Sequence, residues 1–142
     1  VIYKGTDLAW AAGFLQGEGC FLINLGREGR NARPKVTATQ TEQAPIVRLQ
    51  ELFGGCVNYA PARGNHRETW CWTGSTRFCQ ELLPKIVPYL CGDKAMQAAY
   101  LADFANSLQP SNGVRLNEDE IHRRFGAQEE LSLMKGINAH AV

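Results

Sequence analysis

An α+β fold, ordered helix–strand–strand–helix–strand–strand–helix, is what this sequence predicts, and three observations carry it. Residues 33–40 (RPKVTATQ) alternate cleanly, with Arg33, Lys35, Thr37 and Thr39 against Pro34, Val36 and Ala38. That period of two marks a strand with one polar and one apolar face. Residues 43–53 instead place Ile46, Leu49, Gln50 and Phe53 at helical spacing and stop at Gly54 and Gly55. The strands fall in consecutive pairs rather than alternating with helices, which excludes a parallel sheet. A chain of 142 residues that is 44% hydrophobic and 20% charged suits one compact domain, 1–142, with a real core.

Taken in order, Thr6 or Asp7 is expected to cap a first helix through Gln16, ended by Gly17 and Gly19. Residues 20–25 (CFLINL) read as a strand, Phe21, Ile23 and Leu25 on one face and Leu22 and Asn24 on the other. The loop GREGRNA then joins it to the 33–40 strand as an antiparallel hairpin with a basic, polar face. After the 43–53 helix, whose Pro45 is tolerated in the first turn, a second hairpin is expected from 56–60 and 68–73 around PARGNHR. Trp70 and Trp72 share one face of its later strand, suited to the core or to covering a sheet edge, while Thr69, Cys71 and Thr73 share the other. Ser75 opens a third helix to about Leu83, which Pro84 and Pro88 break or restart. A helix over 94–107 follows Gly92, then a turn over 109–113, and Asn117 with Glu120 three residues on signals the cap of a last helix. No internal repeat stands out: YLADFAN at 100–106 faintly echoes the first helix but lacks its glycine-flanked acid.

Composition narrows the function classes. No apolar run approaches a membrane span and no targeting leader is visible, so a soluble protein without membrane partners is expected. Five cysteines form no C-x-x-C pair, and the three histidines do not fall at zinc-ligand spacing, so free thiols in a reducing, intracellular compartment are expected. Arginine outnumbers lysine and alanine is plentiful, which leans toward a bacterial or phage source over an AT-rich organelle. The net charge is only +1, yet residues 27–77 hold eight basic residues against four acidic ones. That excess lies on the expected strands and loops, as on a surface that tracks phosphates.

The chemistry centres on Glu18. A carboxylate at a helix C-terminus meets the negative pole of the dipole, at a cost of about 0.3–1 kcal/mol. Ala9, Gly13 and Gly17 recur every fourth residue, a nearly bare stripe along which another backbone can come close. Were that partner a symmetry copy, two Glu18 carboxylates would converge at the dyad and call for a cation between them. An ordinary helix-to-strand turn with a solvated Glu18 accounts for the spacing equally well.

Residues 11–19, AAGFLQGEG, resemble the LAGLIDADG motif of homing endonucleases, and Leu8 and Phe21 fit the same pattern. The downstream order extends the resemblance over nearly the whole chain. It implies that the two hairpins form a curved antiparallel sheet saddling the DNA major groove. A single-motif chain of this kind works as a homodimer with the motif helices at the dyad, which places Ala9, Ala12, Gly13, Gln16 and Gly17 at the interface. The resemblance puts Glu18 at the catalytic acidic position, holding Mg²⁺ with the Gly17 carbonyl. Gln40, in VTATQTEQ, matches a polar residue that orders the attacking water, and Lys94, in PYLCGDKAMQ, matches a lysine that approaches the active site.

Two positions depart from the pattern. Gln16 stands where many members carry an acid, and Ala44 and Pro45 stand near where some members place a basic residue, leaving Arg48 to supply that charge or none. DNA contacts are expected from the polar strand faces and hairpin tips: Asn24, Arg27, Arg30, Arg33, Lys35, Thr37, Asn58, Arg63, Arg67 and Thr69. The implied function is a Mg²⁺-dependent, site-specific endonuclease making staggered double-strand breaks in a long, partly palindromic target. The alternatives are a non-cleaving DNA-binding regulator or an intron RNA maturase on the same scaffold.

Overall fold

The computed structural model describes residues 2–109 and 115–136. Its elements are α1 (Gly5–Glu18), β1 (Gly19–Asn24), β2 (Arg33–Gln40), α2 (Gln43–Phe53), β3 (Cys56–Ala60), β4 (Thr69–Gly74), α3 (Thr76–Glu81), α4 (Leu83–Ile86), α5 (Gly92–Ser107) and α6 (Glu118–Met134). Pro84 and Pro88 do break the third helical region, into α3, α4 and a 3₁₀ turn over Val87–Tyr89. The turn expected over 109–113 falls, past Gln109, outside the described residues.

All four strands form one antiparallel sheet in the order β1-β2-β4-β3. Its register pairs Phe21 with Val36 and Ala38 with Trp72, so the apolar members of each alternation line up on one face. α1, α2, α3 and α5 pack on that face. Phe21, Val36, Ala38 and Trp72 meet Leu15, Ile46, Leu49, Leu83, Ile86 and Leu101 there, all essentially inaccessible to solvent. Trp72 is the core's largest side chain, and its Nε1 donates to the Gly54 carbonyl at 2.8 Å, which satisfies its one polar atom. Trp70, on the same face of this interior strand, is half-buried against that core and packs on Tyr59 at 5.2 Å between ring centroids.

The polar members of the alternation point the other way. Cys20 pairs with Thr37 and Thr37 with Thr73; Asn24 pairs with Arg33; Thr39 pairs with Cys71 and Cys71 with Asn58. This outer face is polar, basic and partly exposed. α6 runs antiparallel to β1 along the sheet's free edge, beside α5: Arg124 reaches the Gly29 carbonyl, Gln128 the Ile23 carbonyl and Lys135 the Cys20 sulfur. An edge strand is thereby covered. Asn117 caps α6 as expected, its Oδ1 accepting from the Glu120 N–H at 2.9 Å.

The first helix differs from expectation at both ends. It starts at Gly5, and the Lys4 carbonyl, not a Thr6 or Asp7 side chain, accepts from the N–H groups of Asp7 and Leu8 at 3.1 Å. Asp7 instead sits in the first turn, where the dipole favours its charge. At the other end Gly17 does not stop the helix, which continues through Glu18 straight into β1. Gly19 has ordinary extended backbone angles, φ −77° and ψ 143°. Its requirement is space: a Cβ there would lie 2.6 Å from the Leu15 carbonyl oxygen.

Candidate functional site

Because α1 ends on Glu18 and β1 begins on Gly19, the carboxylate stands at the junction where the helical layer passes into the first strand of the sheet. Glu18 is exposed, and no ion pair among the described residues includes it. The last four carbonyls of a helix, Gly17's among them, lack intrahelical donors. Carboxylate and carbonyl oxygens at that helix end are hard donors of the kind Mg²⁺ takes. Among the described residues no three His, Cys, Asp or Glu side chains cluster as a metal site.

Lys94 comes to the same place from α5. It is half-buried, its Nζ donates to the Gly19 carbonyl, and it lies 5.8 Å from the centre of the Phe21 ring. Gln16 ties the two elements together: its Nε2 donates to the Cys91 carbonyl at 3.2 Å and its Oε1 accepts from the Cys91 N–H at 3.0 Å. Both amide atoms are used, so the end of α1 and the start of α5 are clamped.

Gln40 extends β2 two residues beyond the Ala38–Gly19 pairing, toward the end of α1. Its Oε1 accepts from the Thr41 N–H at 2.9 Å and from the Thr41 hydroxyl at 3.2 Å, so its amide NH₂ stays available. Arg48 is not at this site. Its guanidinium stacks on Trp10 at 4.2 Å and pairs with Asp7 at 3.5 Å. Asp7 is eleven residues before Glu18 on the same helix, about 16 Å away at 1.5 Å per residue. The basic charge that Ala44 and Pro45 fail to supply is not replaced from there.

Along α1 the small-residue stripe is open. Ala9, Gly13 and Gly17 are exposed, and a Cβ built on either glycine would meet no heavy atom within 4 Å. Ala12 does not belong to it. It is fully buried in its own chain's core with Leu8, Ala11 and Leu15, because its position turns it toward the sheet. Gln16 lies at the margin, half-buried and bound to Cys91.

The expected DNA contacts gather on the outer face and its ends. Asn24, Arg33, Lys35, Thr37, Asn58 and Thr69 share the outer alternation. Arg27 and Arg30 are exposed in the β1–β2 loop, where Arg30 pairs with Glu28 at 3.3 Å. Arg63 and Arg67 are exposed on the β3–β4 tip, which Arg63 and His66 close by exchanging backbone hydrogen bonds at 3.0 and 2.9 Å around Gly64, φ +59°. The β1–β2 loop is anchored by a residue that sequence reasoning missed. Arg124 is buried, with Nη1 donating to the Gly29 and Arg30 carbonyls at 3.1 Å and Nε to Glu120 at 3.2 Å.

Lys135 was likewise missed. Burial holds its ammonium below the usual lysine range, with repulsion from Lys94 adding to that and Cys20 opposing it. The available signal was spacing. Glu120, Arg124, Gln128, Leu131 and Lys135 follow one another at three or four residues along α6 and its C-cap, so they share the stripe that faces β1. No helix among the described residues is long and apolar enough to cross a membrane.

No family model matches the sequence, and no curated relative does. Solved structures do match. The homing endonuclease I-CvuI in complex with its DNA target in the presence of Ca is 22% identical at a TM-score of 0.70, over 92% of this chain and 85% of that one. The archaeal intron-encoded homing endonuclease I-Vdi141I complexed with DNA is 20% identical at a TM-score of 0.71, over 93% and 86%. The LAGLIDADG homing endonuclease I-GzeII in complex with its DNA target is 17% identical at a TM-score of 0.68, and here 91% of this chain covers only 45% of that one. At these identities the likeness is one of fold.

Proposed function

We propose that this chain, which has the fold of the LAGLIDADG homing endonucleases, pairs with a second copy to bind double-stranded DNA on its outer sheet face and hydrolyse both strands. The observation that carries the reading is the junction at Glu18. An unpaired carboxylate ends the motif helix, a lysine from α5 is bound to the next residue, and the open glycine stripe leads up to both. Gly17 and Glu18 would hold the divalent ion, Mg²⁺ in our reading, and a second chain would bring the second carboxylate. Bound there, the ion would supply an activated water and charge stabilisation at the phosphorus.

The chain's own residues do the rest. Lys94, with its carbonyl anchor, presents positive charge where charge builds on the phosphate. Gln40, its amide oxygen held by Thr41, has an NH₂ with which to orient water. Gln16 keeps the Lys94 helix in register with Glu18. Arg33, Lys35 and Thr37 on β2, with Asn24, Asn58 and Thr69 on its neighbours, offer donors and acceptors to base edges and phosphates, as an antiparallel ribbon in a major groove does.

The test is Glu18→Gln, with DNA binding and strand cleavage measured side by side in Mg²⁺ and in Ca²⁺ against a library of duplex targets. Wild type is expected to cut in Mg²⁺ and to bind with little cutting in Ca²⁺. The variant is expected to bind at least as well and to cut slower by orders of magnitude, since it keeps the size of the side chain and loses the charge. Cleavage retained in Glu18→Gln would move the chemistry to another acid. Wild type that binds and never cuts would leave a non-cleaving DNA- or RNA-binding role.

A further inference from the structure

Lys135 stands one residue past α6 and belongs to no motif, yet its Nζ lies 3.9 Å from Cys20 Sγ. Cys20 is on the outer face of β1, opposite Thr37, and two residues after Glu18. Lys94 reaches the residue between them through the Gly19 carbonyl. Two ammonium groups, one from α5 and one from the C-cap of α6, thus converge on consecutive residues of one strand, at the end of the motif helix. A carbonyl and a thiol are acceptors that neutralise no charge. No ion pair among the described residues includes either lysine. Glu129 lines the same groove between β1 and α6 as Lys135. It is six residues earlier, about 9 Å back along the helix axis.

Like charges held together in half-buried positions without a counter-ion are destabilised, and an anion arriving between them removes that penalty. Lysines are compact point charges with rotatable donors, suited to holding a phosphate by charge rather than by a planar fork. The mounting is firm, because Arg124 and Gln128 fix α6 to the backbone of the β1–β2 hairpin. We propose that Lys135 and Lys94 form a two-lysine seat for a DNA backbone phosphate directly beside Glu18, so that the C-terminal helix grips the strand together with the sheet. This rests on the reading above that duplex DNA is the ligand of the outer face.

The experiment is a salt titration of binding to a fluorescent random-sequence duplex in Ca²⁺, with wild type, Lys135→Ala, Lys135→Gln and Lys135→Arg, each checked for folding by circular dichroism. A lost phosphate contact lowers the slope of log affinity against log salt by about 0.9 per chain and weakens binding alike on every sequence. That result is expected for the Ala and Gln variants, with Arg restoring the slope. Unchanged slope and affinity in folded Lys135→Ala or Lys135→Gln, beside wild type that binds, overturns the seat and leaves the proposed function standing. A loss that Arg does not restore also overturns it, since packing rather than charge would be responsible. Wild type that binds no duplex DNA overturns the proposed function and the seat with it.

Discussion

Replacing Gly13 by leucine separates the stability of the chain from the pairing of chains, because the two effects have opposite signs. Within the folded chain the position is open, with no heavy atom within 4 Å of a Cβ. Gly13 lies inside α1, where exchanging glycine for a good helix former stabilises by about 0.8–1 kcal/mol. For a chain of this size that raises the melting temperature by roughly 3–5 °C. At a two-fold helix contact the same side chain is inserted twice where backbones nearly touch. Overpacking of about 1–3 kcal/mol per copy gives about 2–6 kcal/mol per dimer, or a dissociation constant raised from about 30-fold to more than 10⁴-fold. Sedimentation velocity over a concentration series, free and with DNA, reads the association, and thermal unfolding over the same series reads the stability. Wild type should unfold at a temperature that rises with protein concentration, and Gly13→Leu at one that does not, higher than dilute wild type. A variant that still dimerises as tightly as wild type refutes the stripe as the interface. One that is less stable than dilute wild type refutes the claim that the position is open, and wild type that sediments as a monomer with and without DNA refutes the dimer.

Three further outcomes follow from the geometry. Gly19→Ala puts a methyl 2.6 Å from the Leu15 carbonyl oxygen and 3.1 Å from Leu15 Cα, so the helix and strand must separate. A loss of about 1–3 kcal/mol in chemical denaturation is expected, whereas Gly17→Ala, with nothing within 4 Å, should be tolerated by the isolated chain. Arg124→Met removes a buried guanidinium from Glu120 and from the carbonyls of Gly29 and Arg30. Leaving buried acceptors unpaired costs about 1–3 kcal/mol each at most, and hydrogen exchange should rise first in the β1–β2 loop. Finally, burial pushes the Cys79 thiol up to about 12, while Cys20, Cys56 and Cys91 are exposed. A thiol reagent at neutral pH should modify those three in the native protein and reach Cys79 only on unfolding, as mass spectrometry of digests would show.

What could be read from the sequence was what depends on near neighbours in it. β2, α2 and β3 have the bounds expected of them, because alternation, helical spacing and the turn residues at 54–55 and 61–67 are local signals. Asn117 caps α6 for the same reason: the cap and the N–H that donates to it are three residues apart. The motif helix was harder. It is apolar or small on all sides, so spacing did not distinguish Ala12, which faces the core, from Ala9 and Gly13, which do not. Its start had no capping side chain to mark it. Long-range partners were invisible. Nothing in the sign of a charge says that Arg48 stacks on Trp10, that Arg124 holds a loop ninety-five residues earlier in the chain, or that Lys135 reaches Cys20.

Gln16 shows most clearly how a departure from a motif becomes legible only in three dimensions. In sequence it is an acid missing two positions before Glu18. In the fold, its amide donates to the Cys91 carbonyl and accepts from the Cys91 N–H. A carboxylate could accept from that N–H, but facing the carbonyl it would set one acceptor against another. An amide meets both demands, and it removes a second negative charge from the helix end that Glu18 already burdens. The segment it holds begins three residues before Lys94, whose Nζ returns to Gly19. The end of α1 and the start of α5 are thus closed into a ring by two contacts, one on each side of Glu18 in sequence. Loosening either contact should move Lys94 relative to the carboxylate, and so tell on cleavage before it tells on folding.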